Sequence, residues 1–187
     1  MTYYGGKELA TAFRTVRKNT VQIAEEIPEN KYDFKPSPDA RSVAQTLAHL
    51  AVAPQFFTYV HTHKITDMAS VNFQEVFGPI MAEEQKPRTK AELVEMLKTD
   101  GEKFASFLEG MSEADLSERV TMSPQIGGGT KTRFELLLSP KEHEMHHRGQ
   151  LMTIERMLGV VPHLTRQMQE RIAQMQQQQQ PQPAGQP

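Results

Sequence analysis

Apolar residues recur at steps of three and four along four long segments of this chain, and each pattern predicts a helix with one buried face. The first runs from about Lys7 to Glu26, where Leu9, Ala12, Phe13, Val16, Thr20 and Ile23 make one stripe. Pro28 lies just beyond its end. The second runs from about Arg41 to His61 and carries Val43, Leu47, Leu50, Phe57 and Val60. Pro54 sits inside it; the ring clashes with the carbonyl of Leu50 and removes one hydrogen bond, so a kink is expected there. The third, about Lys90 to Met111, shows Leu93, Leu97, Phe104 and Leu108. The fourth covers about Thr132 to Leu158 and stops at Gly159 and Pro162.

The start of the fourth segment has two readings. Thr132 with Glu135 and Ser139 with Glu142 both spell capping boxes, and Pro140 suits a first helical position. Either a short helix precedes a second one, or one long helix runs through Pro140. Between the periodic segments, residues 27–40 and 112–131 are rich in turn formers. Residues 64–88 form a long connection with room for a short helix at "NFQEVFGPIMAEE", and "SERVTM" has the makings of a brief strand. Four helices with long connections predict an all-α fold, a four-helix bundle with crossover topology. Residues 1–165 are expected to form that bundle. Residues 166–187 are expected to be a helical extension, from "LTRQMQERIAQM", ending in a disordered Gln/Pro-rich tail.

Composition narrows the function. In 187 residues the chain has 21 basic and 23 acidic side chains, a formal charge of -2, so no electrostatic case exists for nucleic acid or an anionic membrane. It has no cysteine, which excludes disulfides, thiolate ligands and a cysteine nucleophile. The opening "MTYYGGKELATAF" is polar, and no run approaches the length that spans a bilayer, so a cytoplasmic protein is expected. The "GGGT" loop fits neither phosphate-binding glycine pattern and reads as a flexible turn.

Seven histidines remain as candidate chemistry. Residues 143–147, "HEMHH", spell the H-E-x-x-H of zinc peptidases. His143 and His147 are four apart, so their imidazoles rise from one helical face and can meet at one ion. His146 points to one side. The peptidase reading weakens at the third ligand: Gln150 and Thr153 stand where the long protease pattern needs Gly and His, and Glu155 and Glu170 are poorly placed. Glu144 is therefore expected to be a solvated helix residue. His61, His63 and His163 are expected to be surface or hydrogen-bonded side chains. His49 is the better third ligand, mid-helix in "VAQTLAHLAV", where an unpartnered histidine is costly to bury. A neutral histidine bonded to a backbone carbonyl is the alternative there.

The combination of "KPSPDARSVAQTLAHL" with "TRFELLLSPKEHEMHHRGQLMTIERMLGVVP" resembles the DinB-like (DinB/YfiT-type) metalloenzyme family. The likeness is most specific over "HxxHHRGQL", residues 143–151, and covers roughly Lys7 to Pro162. It implies a four-helix bundle with a divalent metal held by His49, His143 and His147. Zinc or nickel is foremost, and a nitrogen-rich site also accepts iron or copper. It further implies an enzyme, a transferase, isomerase or hydrolase. Such an enzyme would activate a low-molecular-weight thiol or water against a small-molecule substrate, and a homodimer is expected. The competing class is a non-catalytic helical module that binds a metal, ligand or partner. Gly149 is expected to let a neighbouring helix come close. Arg148 and Gln150 either face the pocket or brace the bundle.

Overall fold

A computed structural model describes residues 4–178. Helix α1 (Gly6–Glu26) packs against α5 (Lys90–Glu109) and α7 (Arg133–Met157), and the split pair α2 (Val43–Val52) and α3 (Pro54–Thr62) completes the bundle. The connection between α3 and α5 carries α4 (Phe73–Glu84), which lies against α2. After α5 come a short α6 (Glu113–Ser117) and the strands β1 (Arg119–Thr121) and β2 (Thr130–Thr132), paired antiparallel. Gly127, Gly128 and Gly129 turn the chain between these strands at φ of 99°, 63° and 78°, in the left-handed region that only glycine enters freely. Helix α8 (His163–Gln178) follows α7. Among the described residues no helix is long and apolar enough to cross a membrane. Part of the Gln/Pro-rich stretch expected to be disordered, residues 179–187, lies outside the described residues.

Local chemistry explains the boundaries. Ser42, Thr89 and Thr132 each cap a helix and exchange bonds with Gln45, Glu92 and Glu135 in reciprocal capping boxes. The choice left open at Pro140 is settled: α7 is one helix from Thr132's cap to Met157, with Pro140 inside it. The expected kink at Pro54 is a full division, with α2 ending at Val52 and α3 starting on the proline.

One cluster of buried side chains joins Ile23, Leu47, Leu50, Leu97 and Leu151, and another joins Phe13, Phe104, Leu108 and Leu137. Between them runs a polar tie that the helical pattern did not predict. Arg17 is 4% exposed and reaches from α1 to all three other bundle helices. Its Nε donates to both carboxylate oxygens of Glu144 on α7, at 2.8 and 3.0 Å. Its Nη1 donates to the Leu97 carbonyl of α5 and its Nη2 to the Leu50 carbonyl of α2. Leu50 is the carbonyl that Pro54, lacking an N–H, leaves without its helical donor. Gly101 makes room for this arginine: a Cβ there would stand 2.7 Å from Arg17 Cγ. The break in α2 and the buried arginine are thus complementary.

This corrects the reading of Glu144. It is 1% exposed, and its charge is matched by Arg17 rather than by solvent. Of the other histidines expected at the surface or hydrogen-bonded, His63 is exposed, while His61 and His163 are buried at 3% and 1% and bonded to Arg133 and Asn19. Gly149 is corrected as well, because a Cβ there would meet nothing within 4 Å. The close approach falls instead at Gly6, where a Cβ would lie 2.4 Å from the Leu108 carbonyl oxygen.

Candidate metal centre

His49, His143 and His147 converge across the gap between α2 and α7. His143 and His147 stand one turn apart on α7 and aim their Nε2 atoms at His49 on α2. His49 Nε2 lies 3.0 Å from His143 Nε2, and His147 Nε2 lies 3.2 Å from it. All three donor atoms fall within 4.8 Å of one another. Four-coordinate zinc with nitrogens at 2.0–2.1 Å sets its donors about 3.3 Å apart, so the spacing fits a divalent ion.

The outer nitrogens fix the protons. Glu84 Oε2, at the end of α4, accepts from His49 Nδ1 at 2.8 Å. Gln150 Oε1, one turn beyond His147, accepts from His147 Nδ1 at 2.7 Å, while its amide nitrogen donates to His146 Nε2. A neutral imidazole with its proton on Nδ1 carries a lone pair on Nε2, so both rings point a donor electron pair at His143. Burial pushes the His143 pKa down to about 4, with the neighbouring His147 and His49 adding to the effect. Burial also lowers that of His147. The three rings turn Nε2 toward one point, and with each proton on the outer nitrogen they would present three lone pairs to a cation there. The donor set therefore fits a metal, and its outer hydrogen bonds are of the kind that orient metal ligands.

The neighbouring α7 residues have other tasks. His146 is exposed and its nitrogen faces Gln150. Glu144 turns about 100° from His143 around the helix and is held by Arg17. It is in no position to be the base that the H-E-x-x-H spelling suggests. His163 bonds Asn19 Oδ1 and is not in the group.

Sequence reasoning missed Glu84 and Arg41. Glu84 is 3% exposed and binds two partners, His49 through Oε2 and Arg41 Nε through Oε1 at 2.7 Å. The only sequence signal was its place in a short amphipathic helix inside a long connection. Gln150, left between two roles, braces His147. A cleft of about 680 Å³ opens beside these residues, with His147, Gln150, Glu84, Arg41 and Met81 in its wall. That volume suits a small molecule.

Comparison with known proteins agrees with this architecture. Protein YjoA of Bacillus subtilis, itself uncharacterized, is 26% identical over 152 residues, covering 81% of this chain and 90% of the relative. The crystal structure of YjoA, a DinB-like protein, superposes with a TM-score of 0.60 at 24% identity, covering 81% and 92% of the two chains. YfiT of Bacillus subtilis, described as a probable metal-dependent hydrolase with an unusual four-helix bundle topology, shares the fold. Its TM-score is 0.63 at 13% identity, over 86% and 91%. So does a mycothiol-dependent maleylpyruvate isomerase, at 0.59 and 15%, over 81% of this chain and 63% of that one. The profile of the DinB superfamily matches residues 12–151, a span that takes in most of α1 and α7, all of α2, α3 and α5, and all three converging histidines. On that match the chain belongs to the DinB superfamily.

Proposed function

We propose that this protein is a divalent-metal-dependent enzyme acting on a small molecule, with His49, His143 and His147 as the metal ligands. The observation that carries the reading is the convergence of three Nε2 atoms, two of them on rings fixed by Glu84 and Gln150. An ion held there supplies Lewis acidity, lowering the pKa of a thiol or a water so that either becomes a nucleophile near neutral pH. The three imidazoles keep the ion's full charge, and no fourth histidine, aspartate or glutamate joins the group among the described residues. Open coordination positions are what separates a catalytic site from a structural one.

The family relatives supply both chemistries: YfiT as a probable hydrolase, and an isomerase that depends on the thiol mycothiol. We favour the thiol version. The chain has no cysteine of its own, so the sulfur would come from a low-molecular-weight cosubstrate. A cytoplasmic setting, zinc or nickel as the ion, and a homodimer belong to the same proposal. The test is elemental analysis of untagged protein, wild type beside His49→Ala. Near-stoichiometric metal in the first and little in the second supports the site. Metal in neither, even after loading, rules it out. Metal without turnover of electrophiles, whether thiols are added or not, turns the reading to a non-catalytic binding module.

A further inference from the structure

The cleft beside the histidines contains one cation whose hydrogen-bonding capacity is largely unspent. Arg41 donates through Nε to Glu84, and among the described residues its two terminal amino groups, Nη1 and Nη2, have no protein partner. Its side chain is 41% exposed and lines the same cleft as His147. Such an arginine would ordinarily sweep the solvent. Here the buried Glu84 anchors it: one carboxylate oxygen holds Arg41 and the other holds His49. The guanidinium is planar and five-pronged, so fixing Nε fixes the direction in which the Nη1–Nη2 edge points. A cation so oriented loses little further freedom on pairing with an anion.

From this geometry we infer that Arg41 is a substrate-binding residue, and that the molecule acted on at the histidine site carries a carboxylate that pairs with its Nη1–Nη2 edge. The inference rests on the metal-dependent reading given above for the identity of the reacting end. A carboxylate matches the two parallel N–H groups in a bidentate pair. Charge favours it over a phosphate dianion, since Glu84 already offsets Arg41 and Asp39 lies in the same wall. Asp39 stays ionised at neutral pH, its pKa lowered by the Ser37 hydroxyl. A singly charged group therefore meets less repulsion there than a doubly charged one. The rest of the wall combines apolar Pro36, Met81 and Ile154 with neutral Gln45 and Thr46, suiting a short carbon chain behind the carboxylate. Glu84 then has two roles, setting the His49 tautomer and aiming the group that orients the substrate.

The test separates this inference from the metal reading. Cobalt-loaded protein is titrated with mercaptobutanoate and with mercaptobutanol, following sulfur-to-cobalt charge-transfer absorption. Wild type is expected to bind the carboxylate roughly tenfold more tightly than the alcohol, the worth of one charge-assisted pair. In Arg41→Gln the two thiols should bind alike, with mercaptobutanol unchanged. Arg41→Lys retains a charge against Glu84 but loses the fork, and should keep only part of the preference. Equal binding of the two thiols by wild type, or a preference that survives in Arg41→Gln, overturns the inference while leaving the metal site standing. A second arm needs no metal: succinate added to metal-free protein should shift the Arg41 side-chain Nε–H resonance. No shift overturns the inference, and a response to inorganic phosphate at lower concentration than to succinate overturns the carboxylate assignment. Failure to take up cobalt sinks the metal reading instead, and the resonance of Arg41 then decides this inference by itself.

Discussion

His143 is half-buried and His61 buried, their pKa values both fall to about 4, and desolvation is the leading cause for each. Their surroundings differ. His61 sits at the end of α3, where its Nδ1 accepts from Arg133 Nη1 at 3.0 Å and its ring stacks on Phe107. Arg133 is fully buried and is held by Glu118, so this cluster contains its own opposite charges and ties α3 to the start of α7. Among the described residues His143 has no carboxylate or arginine partner. It faces two other imidazoles, each with its proton committed to the outer side. A depressed histidine pKa therefore does not identify a site. What distinguishes the metal candidate is three Nε2 atoms brought to one point from two helices, two of the rings being braced on their outer nitrogens.

The largest expected effect tests whether the third element of "HEMHH" belongs to the site or to the scaffold. Glu144→Ala leaves Arg17 buried and without its anion, and should cost about 3–5 kcal/mol in urea unfolding. Metal content of the folded fraction should be unchanged. If the variant folds normally but loses metal, Glu144 belongs with the histidines and the comparison fails.

Exchanging the two histidines comes next. His61→Ala should cost roughly 1–3 kcal/mol, because it removes the acceptor for a buried arginine, and should retain the metal. His143→Ala should reverse the pattern, losing metal with the smaller effect on the metal-free fold. Acid sharpens the contrast. For His61 the folded pKa is about 4 against an ordinary 6.5, so the unfolded chain takes up the proton first. Its contribution to stability is complete above pH 6.5 and is lost as pH falls toward 4. His61→Gln should flatten that acid limb of the metal-free protein in a thermal-melt series. An unchanged limb would assign the acid sensitivity to the triad.

The smallest effect has the opposite sign and lies at the far end of α7. Glu155 is fully buried, neither oxygen has a hydrogen-bond partner among the described residues, and burial with nearby Glu26 raises its pKa to about 7. Here the folded state holds the proton more tightly. Stability is greatest below pH 4.5 as far as this group is concerned, and falls as pH rises to 7. Glu155→Gln should raise the melting temperature at pH 8 and change little at pH 5. A loss of stability at pH 8 would mean that the ionised carboxylate is matched by Arg166 and Arg156, the cations nearest to it.

Much of this was written in local pattern. The four amphipathic stripes, the caps at Ser42, Thr89 and Thr132, and the break at Pro54 follow from periodicity and backbone chemistry that act over a few residues. The i, i+4 pair His143 and His147 is local for the same reason: one turn of helix sets its geometry. Only packing decided the rest. Arg17 and Glu144 look like surface charges in sequence, and they are buried because four helices bring a missing donor, a glycine gap and two opposite charges to one point. The long connection at residues 64–88 showed room for a helix but not that its last residue would meet His49. Glu84 and Arg41 are 43 residues apart, and His49 and His143 are 94 apart. Periodicity encodes which face of a helix is buried, whereas the partner across the gap is chosen by the packing of the whole bundle.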